Sequence, residues 1–217
     1  MRLVLLGAPG AGKGTQGELL ALELGVPRIA TGDLLREAMA TGTPLGNAMR
    51  EYVTRGELVP DEVVIGIVKE RLEQSDAERG FILDGFPRTE AQAQGLENLL
   101  KELRRPLTAA VYLAVDPEDL MERLTQRRVC SQCGATYHLT GRPPKVAGRC
   151  DVCHAELIQR ADDSAEVIKR RLEVYQAQTE PVLGFYERLG ILRRVEGTGS
   201  PKEVLSRVKM VLKEGSV

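Results

Sequence analysis

Residues 7–15 read Gly7-Ala8-Pro9-Gly10-Ala11-Gly12-Lys13-Gly14-Thr15, directly after the short apolar run 3–6 and directly before a stretch of helical periodicity. A glycine-rich turn between a buried strand and a helix is the context of a phosphate-binding loop. Its glycines let successive backbone N–H groups point at phosphate oxygens, the helix N-terminus adds partial positive charge, and Lys13 supplies a full mobile one. A triphosphate suits this loop, with Gly10, Ala11, Gly12, Lys13, Gly14 and Thr15 around it. The position after the lysine usually carries Ser or Thr; here it is Gly14, and the hydroxyl comes one residue later on Thr15.

The loop opens a βαβ pattern that the rest of the chain repeats. Short, mostly apolar runs predict strands over 2–6, 28–30, 81–83 and 109–115, and a last strand is read over 192–195. Amphipathic stretches predict helices over 13–24, from Thr31 or Asp33 to 40, and over 61–74, 89–103, 118–128, 164–178 and 201–213, with another opening at Pro181. Gly42 and Pro44 are read as the stop of the second helix. Strands alternating with helices imply a mostly parallel sheet covered on both faces, with ligands at the carboxyl ends of the strands. At 217 residues the chain suits one domain with room for inserts. The formal charge of −1 argues against a protein held to nucleic acid or anionic membrane by overall charge. The longest apolar candidate, 107–115, is far below the roughly 20 residues of a membrane span, and the run 3–6 is too short for an export signal. The expectation is a cytoplasmic protein with reduced thiols.

Between 129 and 159 the periodicity breaks, and this stretch holds all four cysteines and both histidines. Cys130-x2-Cys133 and Cys150-x2-Cys153 stand 16 residues apart, a spacing expected of a four-cysteine zinc site. Free or redox-active thiols, and a site that recruits His138 or His154, are the competing readings. Four thiolates leave no open coordination position, so a zinc there is structural and holds together a segment too small and too poor in apolar residues to fold alone.

Three motifs taken together, the loop at 7–15, Thr31-Gly32-Asp33-Leu34-Leu35-Arg36 and Leu83-Asp84-Gly85-Phe86-Pro87-Arg88, resemble the adenylate kinase family, and the likeness continues through 160–171. Asp84-Gly85-Phe86-Pro87-Arg88 is the most specific of them, and the cysteine insert is similar to the long zinc-containing lid of bacterial members. The resemblance implies an α/β fold of P-loop NTPase type: a parallel five-stranded sheet flanked by helices, a helical AMP-binding insert and a small zinc-binding lid. The corresponding boundaries are 1–29, 60–125 and 164–217 for the core, 30–59 for the insert and 126–163 for the lid. It implies a monomer that catalyses reversible Mg2+-dependent phosphoryl transfer, ATP + AMP to two ADP, with no nucleic-acid or membrane partner.

Residue by residue, the resemblance implies that Lys13 holds the β- and γ-phosphates. Arg36 and Arg88 grip the AMP phosphate, and Arg127, Arg160 and Arg171 close over the transferred group. It places Thr31, Glu57, Leu58, Val59, Gly85, Phe86, Pro87 and Gln92 in the AMP pocket, and Arg123, Thr136, Tyr137 and Gly199 near ATP. Asp33 and Asp84 are expected to orient Mg2+ through bound water. The residue types support this chemistry. Two polyanions must meet, guanidinium groups bind phosphate bidentately, and an anionic phosphate acceptor needs no protein nucleophile. Arg104, Arg105, Arg170, Arg193 and Arg194 keep the plain reading of surface or salt-bridge groups. Competing functions are a kinase for another nucleoside monophosphate, a zinc-ribbon nucleic-acid module and a regulatory P-loop ATPase. The near-neutral charge counts against the second, and the AMP-site residues against the third.

Overall fold

The computed structural model describes residues 1–40 and 42–214. Its strands are β1 (Arg2–Leu6), β2 (Arg28–Ala30), β3 (Phe81–Asp84), β4 (Ala109–Ala114), β5 (Arg127–Cys130), β6 (Thr136–His138), β7 (Leu157–Ile158) and β8 (Leu192–Glu196). The helices are α1 (Lys13–Leu24), α2 (Thr31–Ala40), α3 (Pro44–Thr54), α4 (Asp61–Leu72), α5 (Glu90–Glu102), α6 (Pro117–Thr125), α7 (Ala165–Val174), α8 (Val182–Arg188) and α9 (Pro201–Glu214).

Five strands form the main sheet in the order β2-β3-β1-β4-β8, all parallel. The inner strands β1, β3 and β4 are mostly apolar because both their faces are covered, while the edge strand β8, Leu-Arg-Arg-Val-Glu, buries only Val195; along each strand successive residues serve opposite layers. Val4, Leu6, Ile29, Phe81 and Leu83 point to one core, packed by α4, α5 and α8 through Val68, Leu72, Leu96, Leu100 and Tyr186. Leu3, Leu5, Ile82, Val111 and Leu113 point to the other, covered by Leu20 of α1, Leu120 of α6 and Val204, Val208 and Leu212 of α9. Each fully buried aliphatic or aromatic side chain contributes about 1.5–3 kcal/mol, so the two layers supply most of the stabilisation.

The predicted strands and most helices appear within a residue or two, with three differences. Residues 44–54 form α3, where Pro44 had read as a stop. Proline is well placed at a first helical position, and the Thr43 hydroxyl caps the turn by accepting from Gly46 N at 3.2 Å. Helix α6 ends at Thr125, so Arg127 and Arg128 lie in β5 and not on the helix predicted over 118–128. Helix α7 stops at Val174 and passes into a π-helical turn, Tyr175–Thr179.

The segment from β5 to β7 is a separate antiparallel sheet in the order β6-β5-β7, with Arg127 opposite His138 and Arg128 opposite Tyr137. Its buried centre is Cys130, Tyr137 and Cys150, with Ala135, Cys153, Ala155 and Leu157 half-buried against it. Apolar packing this thin cannot hold the segment together alone.

Candidate nucleotide cleft and cysteine centre

The carboxyl ends of β1 and β3, adjacent in the sheet, open into a cleft of about 650 Å³. The loop after β1 forms its floor. Gly12 has φ +91°, a left-handed conformation that a side chain resists, and from there α1 begins with its N-terminus facing the cavity. Lys13 Nζ donates to the carbonyls of Gly7 at 2.7 Å and Ala8 at 2.9 Å. Burial pulls the ammonium down to about 8, with Asp84 opposing and Arg88, Arg171 and Arg127 reinforcing the shift.

Nine cationic side chains line the cleft, Lys13, Arg28, Arg36, Arg88, Arg123, Arg127, Arg142, Arg160 and Arg171, against four carboxylates, Asp33, Glu57, Asp84 and Asp162. That is an excess of five positive charges on one cavity of a chain whose formal charge is −1. The crowding is visible in the guanidinium groups themselves. Arg88 is held down to about 10 by burial and then by Arg171, and Arg160 to about 10 by burial and then by Arg36. An anion entering here relieves that repulsion.

Two carboxylates that sequence reasoning passed over organise the arginines. Asp163 is fully buried and accepts from Arg127 Nε at 2.8 Å and Nη2 at 2.5 Å, and from Arg171 Nη1 at 3.0 Å. Arg171 also lies 3.1 Å from Asp162 Oδ2 and donates to the Asp162 carbonyl at 2.9 Å. Burial would push the Asp162 carboxyl up, but Arg171, Arg127, Arg160 and Arg36 together pull it below its usual value. The available signal was proximity in sequence: Asp162 and Asp163 follow Arg160 within three residues. Arg28 was also missed; it donates to Asp84 Oδ2 from Nε at 3.1 Å and Nη2 at 2.7 Å.

Of the residues expected around ATP, Gly10, Ala11, Gly12, Lys13, Gly14, Thr15, Arg123, Arg127, Thr136, Tyr137 and Gly199 all line the cleft. Arg123 Nη1 donates to Gly197 O at 3.2 Å. The Tyr137 hydroxyl faces away, towards the cysteines, 3.4 Å from Cys150 Sγ and accepting from Asp151 N at 2.7 Å. Asp33, Arg36, Glu57, Asp84, Gly85, Arg88, Arg160 and Arg171 line the same cavity, and Arg36 is bonded to Asp33. Leu58 and Pro87 line a small adjoining cavity of about 80 Å³ that shares Lys13 and Arg88.

Thr31, Val59, Phe86 and Gln92 do not line the main cleft and are buried behind it. The Thr31 hydroxyl donates to Gly85 O at 2.8 Å, tying α2 to the turn after β3. Gln92 Nε2 donates to Asp61 Oδ1 at 2.7 Å and its Oε1 accepts from Arg88 N at 2.8 Å. Each amide heteroatom retains a second hydrogen-bonding position. The five arginines left as plain groups behave so: Arg170 and Arg194 pair with Glu173 and Glu187 at the surface, Arg105 and Arg193 bond carbonyls, and Arg104 occupies a turn with φ +55°.

The four cysteine sulfurs lie within 4.8 Å of one another and are, among the described residues, the cluster suited to a metal ion. The closest pairs, Cys130–Cys153 at 3.3 Å and Cys133–Cys150 at 3.5 Å, are thiols and not disulfides. Backbone N–H groups of Gln132 and Cys133 point at Cys130 Sγ, and that of Val152 at Cys150 Sγ, each at 3.4 Å. Donors aimed at sulfur favour the thiolate form, the form that binds metal. His138 stands apart, its Nδ1 accepting from Gly141 N at 2.9 Å.

Residues 5–191 match the family model described as Adenylate kinase. The chain is 55% identical over 214 residues to the adenylate kinase of Thermodesulfovibrio yellowstonii, covering 99% of this chain and all of that protein. It is 54% identical to that of Bacillus subtilis, over 98% of both chains, and 51% identical to that of Archaeoglobus fulgidus, over 99% of both.

Proposed function

The chain belongs to the adenylate kinase family, and from that premise we propose how its residues move a phosphoryl group between ATP and AMP. One observation carries the reading: nine cations against four carboxylates converge on a cleft floored by a phosphate loop. Two nucleotides bring about six negative charges into contact, and a cleft with this excess is built to offset their repulsion.

The loop from Gly10 to Thr15 cradles the ATP phosphates with Lys13, while Arg123, Thr136, Tyr137 and Gly199 flank the rest of that nucleotide. Arg36 and Arg88 hold the AMP phosphate. The pocket behind it is shaped by Thr31, Glu57, Leu58, Val59, Gly85, Phe86 and Pro87, and by Gln92, whose remaining N–H and lone pair read adenine. The AMP phosphate oxygen attacks the γ-phosphorus and the bond to the β-phosphate oxygen breaks, with Arg127, Arg160 and Arg171 spreading the charge of the group in flight. No protein nucleophile forms a bond. Because the attacking oxygen is already anionic, no side chain has to accept its proton.

Asp33 and Asp84, beside the phosphate loop, and the Thr15 hydroxyl, within it, offer the oxygen donors that Mg2+ prefers. When bound with ATP, Mg2+ neutralises charge on the β- and γ-phosphates. Cys130, Cys133, Cys150 and Cys153, with their sulfurs within 4.8 Å of one another, would hold a structural zinc that folds the β5–β7 segment as a lid over the cleft. Among the described residues no helix is long and apolar enough to cross a membrane. We read the chain as a cytoplasmic monomer working on ATP, AMP and ADP, with boundaries at 1–29, 60–125 and 164–217 for the core, 30–59 for the AMP insert and 126–163 for the lid.

The test is ADP formation from ATP plus AMP, repeated with Arg88→Ala and with GMP, CMP and UMP in place of AMP. Losing a buried guanidinium on phosphate costs about 2–4 kcal/mol, so kcat/KM for AMP falls roughly 30- to 1,000-fold. Full activity in that variant, or equal rates with all four monophosphates, overturns the site assignment.

A further inference from the structure

Arg28 opens β2 at the floor of the cleft and belongs to none of the motifs. Its Nε and Nη2 both donate to one oxygen of Asp84, at 3.1 and 2.7 Å, and its Nη1 lies 3.7 Å from Asp33 Oδ2 and 3.8 Å from Glu18 Oε1. Its side chain is 22% exposed and that of Asp84 10%. Helix α1 makes room for it. A Cβ on Gly17 would stand 2.9 Å from Arg28 Cδ, and one on Gly14 3.2 Å from Nη2. Glycine is a poor helix former, yet two glycines three residues apart leave on one face of α1 the channel that the arginine fills. Gly14 is also the position where a phosphate loop ordinarily carries the hydroxyl residue, so the guanidinium lies where that side chain would project.

We infer that Arg28 is a built-in counter-cation that competes with divalent metal for Asp84 and so ties metal entry to the nucleotide. The inference rests on reading Asp84 and Asp33 as the carboxylates that orient Mg2+. A guanidinium is never deprotonated in a protein, so the positive charge beside Asp84 is permanent. Asp84 Oδ2 already accepts two hydrogen bonds, and a bare cation approaching it meets a neutralised carboxylate and a like charge. Metal carried on ATP phosphates arrives with its charge already offset, and the phosphates face Lys13 and the loop N–H groups. The cleft therefore discriminates against bare metal in favour of the metal–nucleotide complex. Arg28 acts through Asp84 and is a positioning residue.

The test measures Mn2+ binding by electron paramagnetic resonance, with the full-length enzyme alone and with saturating ADP, for wild type, Arg28→Gln, Arg28→Lys, Asp84→Asn and the double variant Arg28→Gln/Asp84→Asn. Repulsion between a divalent and a monovalent cation across roughly 6 Å, screened as in water, amounts to about ten-fold in affinity. Arg28→Gln is expected to bind Mn2+ about ten-fold more tightly, most visibly without ADP, and to reach half-maximal turnover at correspondingly lower free Mg2+. Arg28→Lys stays close to wild type, which also shows that the site survives substitution. Asp84→Asn weakens binding because it removes the carboxylate that brings the metal near Arg28, so in that background Arg28→Gln has a smaller effect than with Asp84 present. If Asp84→Asn weakens Mn2+ binding while Arg28→Gln leaves it unchanged or weaker, the role of Arg28 is overturned and the metal reading stands. If Asp84→Asn changes nothing, the metal reading fails and takes the inference with it.

Discussion

Replacing Asp163 by asparagine is the sharpest probe of how the cleft holds its arginines. The change keeps the shape of the side chain and removes one charge at a fully buried position. Three charge-assisted hydrogen bonds, two from Arg127 and one from Arg171, lose their anionic acceptor, and the new amide N–H group faces guanidinium donors. Breaking a wholly buried ion pair costs about 3–5 kcal/mol. Both arginine side chains remain 18% exposed to the cleft, so water screens part of the loss and about 2–4 kcal/mol is the better figure. For a chain of this size that lowers the melting temperature by roughly 10 °C. The assay is calorimetric unfolding with and without saturating ATP. Because phosphate oxygens can replace the lost anion, the penalty should shrink markedly when nucleotide is bound. A melting temperature within about 1 °C of wild type, or a deficit of the same size with and without ATP, refutes the view that Asp163 is the counter-charge for these arginines.

Lys13 gives a pH-dependent prediction. Its ammonium titrates near 8 in the free protein against 10.5 when unperturbed, so the folded chain holds fewer protons than the unfolded chain between those values. The cost of burying the charge is present in full below pH 8 and is relieved as pH rises through that window, so this group adds stability towards alkaline pH. Phosphate binding reverses the shift. ATP affinity should fall above pH 8, and binding at pH 8 should take up about half a proton, read by titration calorimetry in buffers of different ionisation enthalpy; uptake below about a tenth of a proton would contradict it. Replacing Cys130 and Cys133 by serine should abolish stoichiometric zinc and lower the melting temperature while leaving turnover measurable at low temperature. Unchanged zinc content, or unchanged melting with activity lost, counts against a structural metal.

The main sheet was legible because its inner strands are mostly apolar runs and the turn after β1 carries a motif with a single structural meaning. The cysteine cluster was legible from spacing alone, since two close pairs can converge only if the chain between them folds back. Helix α3 was not, because Pro44 and Gly46 read as breakers unless one knows that the proline stands at the first turn and that Thr43 supplies the cap. Arg127 was placed on a helix because 118–128 continues the helical pattern; strand pairing with His138 decides otherwise. Asp163 and Arg28 escaped for a common reason. A carboxylate or guanidinium acquires its role from partners distant in sequence, Arg127 in one case and Asp84 in the other, and no local periodicity encodes those pairings. Gln92 shows the converse: the resemblance places it in the AMP pocket, while the structure shows an amide held first by Asp61 and the Arg88 backbone.

The dimensions of the small antiparallel sheet have a further consequence for solubility. Its central strand, β5, is paired on both sides, while the flanking β6 and β7 are only three and two residues long. A sheet margin offers unpaired amide and carbonyl groups on which a neighbouring chain can template, and larger proteins bury such margins beneath helices or close them into barrels. If the segment closes over the cleft as the proposed lid, such a cover would hinder it. Here brevity does the same work: margins of two or three residues offer too few ladder positions for an intermolecular strand to dock. Neighbouring backbone takes up part of what remains: Leu157 N donates to Gly148 O at 3.0 Å, and His138 and Arg142 exchange backbone hydrogen bonds at 3.1 Å, so little of either margin is left for another chain.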